Sequence, residues 1–139
     1  MAVSEHIQPV SRVRFGFLLL FVLLIGIGSR SWAAALPSFV AAYAPDALWA
    51  LFVFLAIRFI RPASSVWTAA VFAFSVSVLI EVSQRHHSSW IDALRDTYVG
   101  ALVLGHSFGW GDLVCYLVGI SVGAIAESLF RGLGSASPA

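Results

Sequence analysis

The sequence contains no lysine, a single cysteine and few charged residues of any kind. Only 11% of its 139 residues are charged and 60% are hydrophobic, whereas about a quarter of the residues in an ordinary soluble domain carry a charge. A soluble chain of this length leaves much of its surface in water and could not hide so many apolar side chains. This composition excludes an ordinary soluble domain and predicts an integral membrane protein.

Missing residue types and motifs also argue against several classes of function. All eight basic residues are arginines spread along the chain and the formal charge is +1, so no clustered basic face for a nucleic acid is expected. Cys115 is alone, which excludes an internal disulfide. The sequence has no glycine-rich phosphate loop, no GxSxG motif and no recognisable nucleophile–base pair. An enzyme is therefore the least favoured class, and no cofactor is predicted.

The apolar runs predict four membrane-spanning helices, since about 20 helical residues cross the hydrocarbon core. These helices are expected over residues 15–36, 44–61, 63–84 and 111–130. Residues 85–110 begin with a polar stretch, and the apolar stretch that follows is too short to cross the membrane. These residues are therefore not expected to form another span. There we expect an outer interfacial helix followed by a loop that dips onto the bundle. The predicted fold is all-α: a polytopic membrane helix bundle over residues 1–139, forming one integral membrane domain.

The first apolar run has a second interpretation as a cleavable signal peptide. Arg12 and Arg14 precede the run, and small residues follow it at 33–35. Arg30 and the bulky Trp32 fit a cleavage site poorly, and three further spans follow. We therefore expect the first helix to be retained.

The arginines predict the orientation of the bundle. With the N-terminus inside, cytoplasmic segments contain five arginines and outer segments three, as the positive-inside rule requires: Arg12, Arg14, Arg58, Arg61 and Arg131 against Arg30, Arg85 and Arg95. Four tryptophans would then lie near the outer interface (Trp32, Trp49, Trp90 and Trp110) and Trp67 near the inner one. The expected location is the bacterial inner membrane, with both termini in the cytoplasm.

Ionisable residues concentrate at the predicted outer ends of the helices, where their cost near lipid makes their positions informative. Glu81, Gln84 and Arg85 are spaced to share one helix face. They indicate either a flanking ion pair with a polar cap or a carboxylate and an amide that face the bundle. Asp46 and Asp112 are each expected to begin a helix, where capping alone would explain a carboxylate.

The remaining polar residues have ordinary interpretations. Asp92, Arg95 and Asp96 repeat at helical spacing and suggest the solvated face of the interfacial helix. His86, His87 and His106 lack metal-ligand spacing, so no metal site is predicted. The charges on the inner side are interpreted as flanking residues.

A GxxxG pattern in the fourth helix, formed by Gly119 and Gly123, favours close helix packing. The sequence leaves open whether that packing occurs within the bundle or between copies in a homo-oligomer.

The order of these residues resembles a family of small bacterial membrane proteins of unknown function, sometimes called YjgA-type ribosomal maturation proteins. The resemblance rests on Ser29-Arg30, Tyr43-x-x-Asp46-x-Leu48-Trp49 and Glu81-x-x-Gln84. It continues through Gly100-x-Leu102-x-Leu104-Gly105-x-x-Phe108-x-x-x-Asp112-Leu113-x-x-Tyr116-x-x-Gly119.

The same pattern looks like a distant, shorter relative of the VanZ-like proteins, which are associated with resistance to lipid-directed glycopeptides. The shared elements would be Asp46, Glu81-x-x-Gln84, Arg95, and Asp112 with Gly119, while Pro45 stands where a glycine is expected. The resemblance implies that Arg30, Asp46, Glu81, Gln84 and Asp112 are family positions. It implies no reaction.

The leading functional hypothesis is a polar pocket in the outer leaflet that binds an amphipathic lipid or cell-envelope precursor. Arginines would meet its anionic groups, and carboxylates would accept hydrogen bonds and orient the arginines. The candidate ligand-binding residues are Arg30, Asp46, Glu81, Gln84, Arg85, Arg95 and Asp112.

Two other classes of function remain open. One is a small oligomeric transporter or proton-coupled carrier in which Glu81 titrates. The other is a structural subunit of a membrane complex, assembled through the face that contains Gly119 and Gly123.

Overall fold

The computed structural model describes residues 9–104 and 109–135, with side chains for residues 12–104 and 109–133. The described residues form helices and turns, with no strand. The helices are α1 (Pro9–Ser31), α2 (Ser38–Ile60), α3 (Val66–Ser83), α4 (Ser89–Arg95), α5 (Tyr98–Leu104) and α6 (Trp110–Ser135), with a 3-10 turn at Ala33–Ala35. Four of them (α1, α2, α3 and α6) are long and apolar enough to cross a membrane. The predicted all-α fold with four candidate membrane spans is confirmed.

The observed helix ends differ from the predicted ones because local signals set them. Leu36 precedes Pro37 and is extended, with ψ of 151°, since a following proline disfavours helical backbone. The chain leaves α1 at Ser31 and re-enters helix at Ser38. At the next turn, the Ser65 side chain accepts the Thr68 N–H at 3.0 Å and caps α3. A hydropathy profile shows neither the break caused by Pro37 nor the cap formed by Ser65.

The second helix is the centre of the bundle, because α1, α3 and α6 all pack against it. Ala50 and Phe54 of α2 are fully buried, as are Ala69 and Ala73 of α3. The outward faces are apolar as well: Trp67 of α3 is 80% exposed. A surface of this kind suits lipid, because lipid tails are as apolar as the side chains that contact them.

Two glycines of α6 let it approach α2 closely. A Cβ atom at Gly119 would overlap the carbonyl oxygen of Ala47, and one at Gly123 would lie 2.8 Å from a ring carbon of Phe54. The GxxxG face is thus used inside the bundle, against α2 of the same chain. Close packing of this type is the usual role of small residues in membrane helices.

The segment between α3 and α6 is more helical than expected. The predicted loop forms α5 over most of its length, and Gly100 lies directly against the carbonyl of Leu94 at the end of α4. A short helix satisfies part of its own backbone hydrogen bonding, which irregular chain near lipid cannot do. The rest of the expected loop, 105–108 with His106, lies outside the described residues.

We predict that Gly119→Ala destabilises the bundle. The added methyl group meets backbone rather than a mobile side chain, and overpacking of this kind costs about 1–3 kcal/mol. Thermal unfolding in detergent micelles, followed by circular dichroism, measures the effect.

Gly28→Ala is the matched control, because a Cβ there meets nothing within 4 Å. Equal unfolding temperatures for the two variants would contradict the close approach of α2 and α6.

Candidate functional site

Glu81 is the buried centre of the polar cluster at one end of the bundle. Its side chain is fully buried on α3. One carboxylate oxygen, Oε1, accepts the N–H of Gly109 at 2.8 Å, and Oε2 accepts the Tyr116 hydroxyl at 2.6 Å. Because Gly109 immediately precedes α6, these two hydrogen bonds fix the start of α6 against the end of α3.

Two further carboxyl groups join Glu81 from two other helices. The Asp112 carboxyl interacts electrostatically with Glu81 and lies next to Gly109. Asp46 on α2 interacts electrostatically with both Asp112 and Glu81. We call this end of the bundle, defined by Asp46, Glu81 and Asp112, the carboxylate end. Carboxylates this close repel one another unless a proton or a positive group lies among them.

The expected capping role of Asp46 is wrong. The residue lies about two turns inside α2, which begins at Ser38. Its predecessor, Pro45, is also inside the helix and has no N–H to donate to the carbonyl four residues earlier. The half-buried Asp46 carboxylate therefore has no helix N-terminus to stabilise it. Asp112, by contrast, lies in the first turn of α6.

Arg30 is a positively charged residue that interacts with this group of acids. It lies in the last turn of α1 and interacts electrostatically with Asp46. Among the described residues it forms no hydrogen bond or direct ion pair. The cluster formed by Arg30 and the three carboxyl groups therefore contains more acidic than basic groups.

Gln84 caps α3 with helical backbone and is buried as Glu81 is, whereas Arg85 follows the end of the helix. The Gln84 amide donates to the Leu104 carbonyl of α5 at 2.7 Å. Arg85 is exposed, with its guanidinium 5.9 Å from the ring centroid of Trp110. Gln84 thus joins α3 to α5, and Arg85 lies against the start of α6.

Arg95 was expected on a solvated face, and this prediction is wrong. The side chain is buried and donates to the carbonyls of Ser83 at 2.6 Å and His86 at 3.1 Å. It also pairs with Asp92 at 3.1 Å. A cation at the C-terminal end of α3 is stabilised by the helix dipole, so Arg95 holds α4 onto the end of α3.

Two buried oxygens, one on α3 and one on its C-cap residue, have no hydrogen-bond partner among the described residues. The Ser77 hydroxyl, one turn before Glu81, is fully buried, and the Oε1 atom of Gln84 lies one turn after it. Native proteins rarely leave such atoms unpaired, so these two oxygens are available acceptors at this end of the bundle.

An apolar groove of about 520 Å³ lies beside the carboxylate end, between α2 and α6. It is within the size range of small-molecule sites, and its walls include Phe39, Tyr43, Ala47, Gly111, Cys115 and Val118. Cys115 interacts electrostatically with Asp46 and Asp112. The groove and the carboxyl groups therefore adjoin at this residue.

The opposite end of the bundle contains a buried ion pair that sequence reasoning missed. Arg58 is fully buried and donates to Glu127 of α6, with Nε 2.8 Å from Oε2. Its other nitrogens donate to the carbonyls of Pro62 and Ser64 in the α2–α3 turn. The interpretation of these residues as flanking charges is wrong. The available signal was their matched position, with opposite charges ending the second and fourth apolar runs.

Neighbouring groups complete this second cluster. Arg131 binds Glu127 from the next turn of α6, and the Arg58 guanidinium lies 5.4 Å from the ring centroid of Phe15 on α1. Every Arg58 nitrogen has a partner. The cluster therefore joins α1, α2 and α6 and leaves no donor of Arg58 for a ligand.

We predict that Arg58→Met lowers the free energy of unfolding by about 3–5 kcal/mol, because it leaves the buried Glu127 with one partner fewer. Chemical denaturation in mixed micelles measures this loss.

Arg131→Met is the control, because the Arg131 side chain is 54% exposed and partly exposed pairs contribute about 1 kcal/mol or less. Equal losses in the two variants would contradict the central role of Arg58.

Comparison with known proteins identifies a family without a known activity. No solved structure matches the chain. The sequence profile of DUF2809, a family of proteins of unknown function, matches residues 35–120. The match contains Asp46, Glu81, Asp112 and Gly119, so it covers the carboxylate end and its packing against α2. The chain belongs to the DUF2809 family.

Proposed function

We propose that this protein binds an amphipathic molecule at the carboxylate end. Asp46 and Asp112 hold a headgroup that is positively charged or rich in hydrogen-bond donors, and an alkyl chain occupies the groove between α2 and α6. The observation that carries the proposal is that Ala47 and Gly111 in the wall of the apolar groove directly adjoin Asp46 and Asp112 in the chain.

The charge of the cluster favours this kind of headgroup over the anionic one expected from the arginines. Two nitrogens of Arg95 donate to backbone carbonyls at the end of α3 and to Asp92, and Arg30 is the described cation that acts on Asp46. An anionic headgroup would meet more repulsion than attraction, since charge interactions strengthen away from bulk water. Glu81 already accepts two hydrogen bonds, so Asp46 and Asp112 are the acceptors left for a ligand.

The headgroup decides which molecule binds, because the groove faces lipid. Moving an alkyl chain from the bilayer into an apolar groove gains little, as lipid tails already provide an apolar environment. The role of the ligand's alkyl chain is therefore to keep the ligand at the correct depth in the membrane. Selectivity comes from the polar contacts, which are strong where water is excluded.

We place the protein in the bacterial inner membrane with both termini in the cytoplasm, so that the carboxylate end faces outward. The support is the bias of arginines toward the other end, where Arg12, Arg14, Arg61 and Arg131 lie. In this orientation the ligand comes from the outer leaflet, as a lipid or a cell-envelope precursor. A distant relation to the VanZ-like proteins is compatible with such a ligand.

A second candidate function is proton-coupled transport through Glu81. The observation that favours it is the electrostatic interaction of the fully buried Glu81 with Asp112, with unpaired buried oxygens at Ser77 and Gln84 one turn to either side of Glu81. A shared proton would relieve the repulsion between the two carboxyl groups, and waters at the unpaired oxygens would carry it. A structural subunit has less support, because α2 occupies the face of Gly119 and Gly123.

We predict that Asp46→Asn weakens binding of dodecyltrimethylammonium by at least about tenfold, because the loss of a charged partner costs roughly 1.5–3 kcal/mol. Titration of the full chain from uncharged maltoside micelles, read by native mass spectrometry, gives the affinity.

Asp96→Asn is the matched control, because this exposed carboxylate belongs to the same end of the bundle. Binding that is equally strong in both variants, or undetectable in the unaltered protein, would refute the proposed site.

For the second candidate, we predict that Glu81→Gln abolishes pH-driven proton flux into liposomes, since glutamine accepts hydrogen bonds but does not titrate. A pH-sensitive dye inside the vesicles reports the flux, with Asp96→Asn again as the control. Liposomes of the unaltered protein that show no flux would exclude transport and leave the binding proposal intact.

A further inference from the structure

The end of the bundle opposite the carboxylate end is strongly basic. Among the described residues it contains one carboxylate, that of Glu127, and five arginines: Arg12 and Arg14 of α1, Arg58 of α2, Arg61 at the C-cap of α2, and Arg131 of α6. We call this end of the bundle, defined by these five arginines, the arginine end. The fold thus brings basic residues from three helices to one end of the bundle.

The one carboxylate of this end is already used within the protein. Oε1 of Glu127 accepts a hydrogen bond from Nε of Arg131 at 3.0 Å, and Oε2 accepts one from Nε of Arg58 at 2.8 Å. Two arginines paired with one carboxylate keep one unit of positive charge. Glu127 therefore does not neutralise the other arginines of this end.

Three exposed arginines of the arginine end have no anionic partner in the described part of the chain. The side chains of Arg12, Arg14 and Arg61 form no hydrogen bond or ion pair there. Like charges gathered at one place repel one another, and an anion among them relieves that repulsion. The described residues supply too little negative charge to balance this end.

Aromatic rings hold one of these guanidinium groups beside α6. The guanidinium carbon of Arg14 lies 5.4 Å from the ring centroid of Phe130 on α6 and 5.6 Å from that of Phe15. Contact with an aromatic ring orders the side chain and leaves its N–H groups free to bind an anion. Phe130 directly precedes Arg131, so Arg14 of α1 lies beside the turn of α6 that contains Arg131.

The surroundings of these arginines favour a lipid over a soluble acidic partner. Leu129, Phe130 and Leu133 of α6 are exposed, as is Trp67 of α3. A partner at this depth must offer an anionic group to the arginines and an apolar part to these side chains. An anionic phospholipid has both, because its phosphate lies next to its acyl chains.

An apolar groove beside Arg131 accommodates part of an acyl chain. It lies between α3 and α6 and has a volume of about 180 Å³. Its walls include Trp67, Ser128 and Leu129, and the last two lie within one turn of Arg131. Lipid tails gain little from an apolar groove, so the charge of the headgroup decides which lipid binds.

We infer that the arginine end binds an anionic phospholipid, whose headgroup pairs with Arg14 and Arg131 while Arg12 and Arg61 add to the positive potential around it. This site is independent of the proposed function, because it lies at the opposite end of the bundle and binds a headgroup of opposite charge. In the orientation proposed above it faces the cytoplasmic leaflet, where anionic lipids attract basic segments.

The test compares two lipids with identical acyl chains, dioleoylphosphatidylglycerol and dioleoylphosphatidylcholine, added to the full chain in uncharged maltoside micelles and measured by native mass spectrometry. We expect the unaltered protein to bind the anionic lipid about twentyfold more tightly, because each of two arginines at a membrane surface contributes about fivefold. Arg14→Gln and Arg131→Gln should each lower the affinity for phosphatidylglycerol about fivefold and leave the affinity for phosphatidylcholine unchanged.

Two control variants separate the effect of charge from other effects. Arg14→Lys retains the positive charge and should keep most of the preference for phosphatidylglycerol. Arg85→Gln removes an exposed arginine at the opposite end of the bundle and should keep the whole preference. Higher ionic strength should weaken phosphatidylglycerol binding by the unaltered protein, since salt screens exposed charges.

Equal affinity of the unaltered protein for the two lipids would overturn the inference. A preference that persists in both Arg14→Gln and Arg131→Gln would also overturn it, as would one that Arg85→Gln or Arg14→Lys lowers as much as Arg14→Gln does. Displacement of bound phosphatidylglycerol by a hexaglutamate peptide would overturn the lipid in favour of an acidic protein segment.

Discussion

The close approach of α6 to α2 at Gly119 is the contact on which the rest of the structure depends. A side chain at this position would push the helices apart, because its Cβ would overlap the Ala47 carbonyl. The approach brings Asp112 into range of Asp46 at one end of the bundle, and it brings Glu127 to Arg58 at the other. The same pair of helices forms the walls of the apolar groove.

The two ends of the bundle differ in how completely their polar groups are satisfied. At one end, the guanidinium nitrogens of Arg58 donate hydrogen bonds to Glu127 and to carbonyls of the α2–α3 turn. A buried pair of this kind is costly to break and has no spare donor. Toward the carboxylate end, by contrast, Ser77, Gln84 and Trp49 each have a buried polar atom without a partner among the described residues. Satisfied polar groups hold a fold together, and the proposed binding site is placed where they are not all satisfied.

The surroundings explain why the polar contacts matter more than the apolar groove. In water, a groove of about 520 Å³ would bind an alkyl chain through the hydrophobic effect. In a bilayer that advantage disappears, because the chain leaves one apolar environment for another. In the proposed site, the carboxyl groups therefore select the ligand by its charge.

Much of the fold was predictable from local sequence, whereas the details of the site were not. Uninterrupted apolar runs predicted four helices because the backbone must satisfy its own hydrogen bonds in lipid. The clustering of Asp46, Glu81 and Asp112 at one end was also foreseeable, since successive helices of an up-and-down bundle place alternate ends together. The role of Arg95 was not, because its partners are backbone carbonyls at the end of another helix.

By itself, then, the sequence determined four helices that are long and apolar enough to cross a membrane, and the position of each polar residue along them. Only the tertiary structure decided which side chains meet across the bundle. Hydrophobic periodicity shows where a residue lies along a helix and on which face of that helix. Which other helix packs against that face depends on the tertiary structure. Arg58 and Glu127 are 69 positions apart, and no local pattern links them.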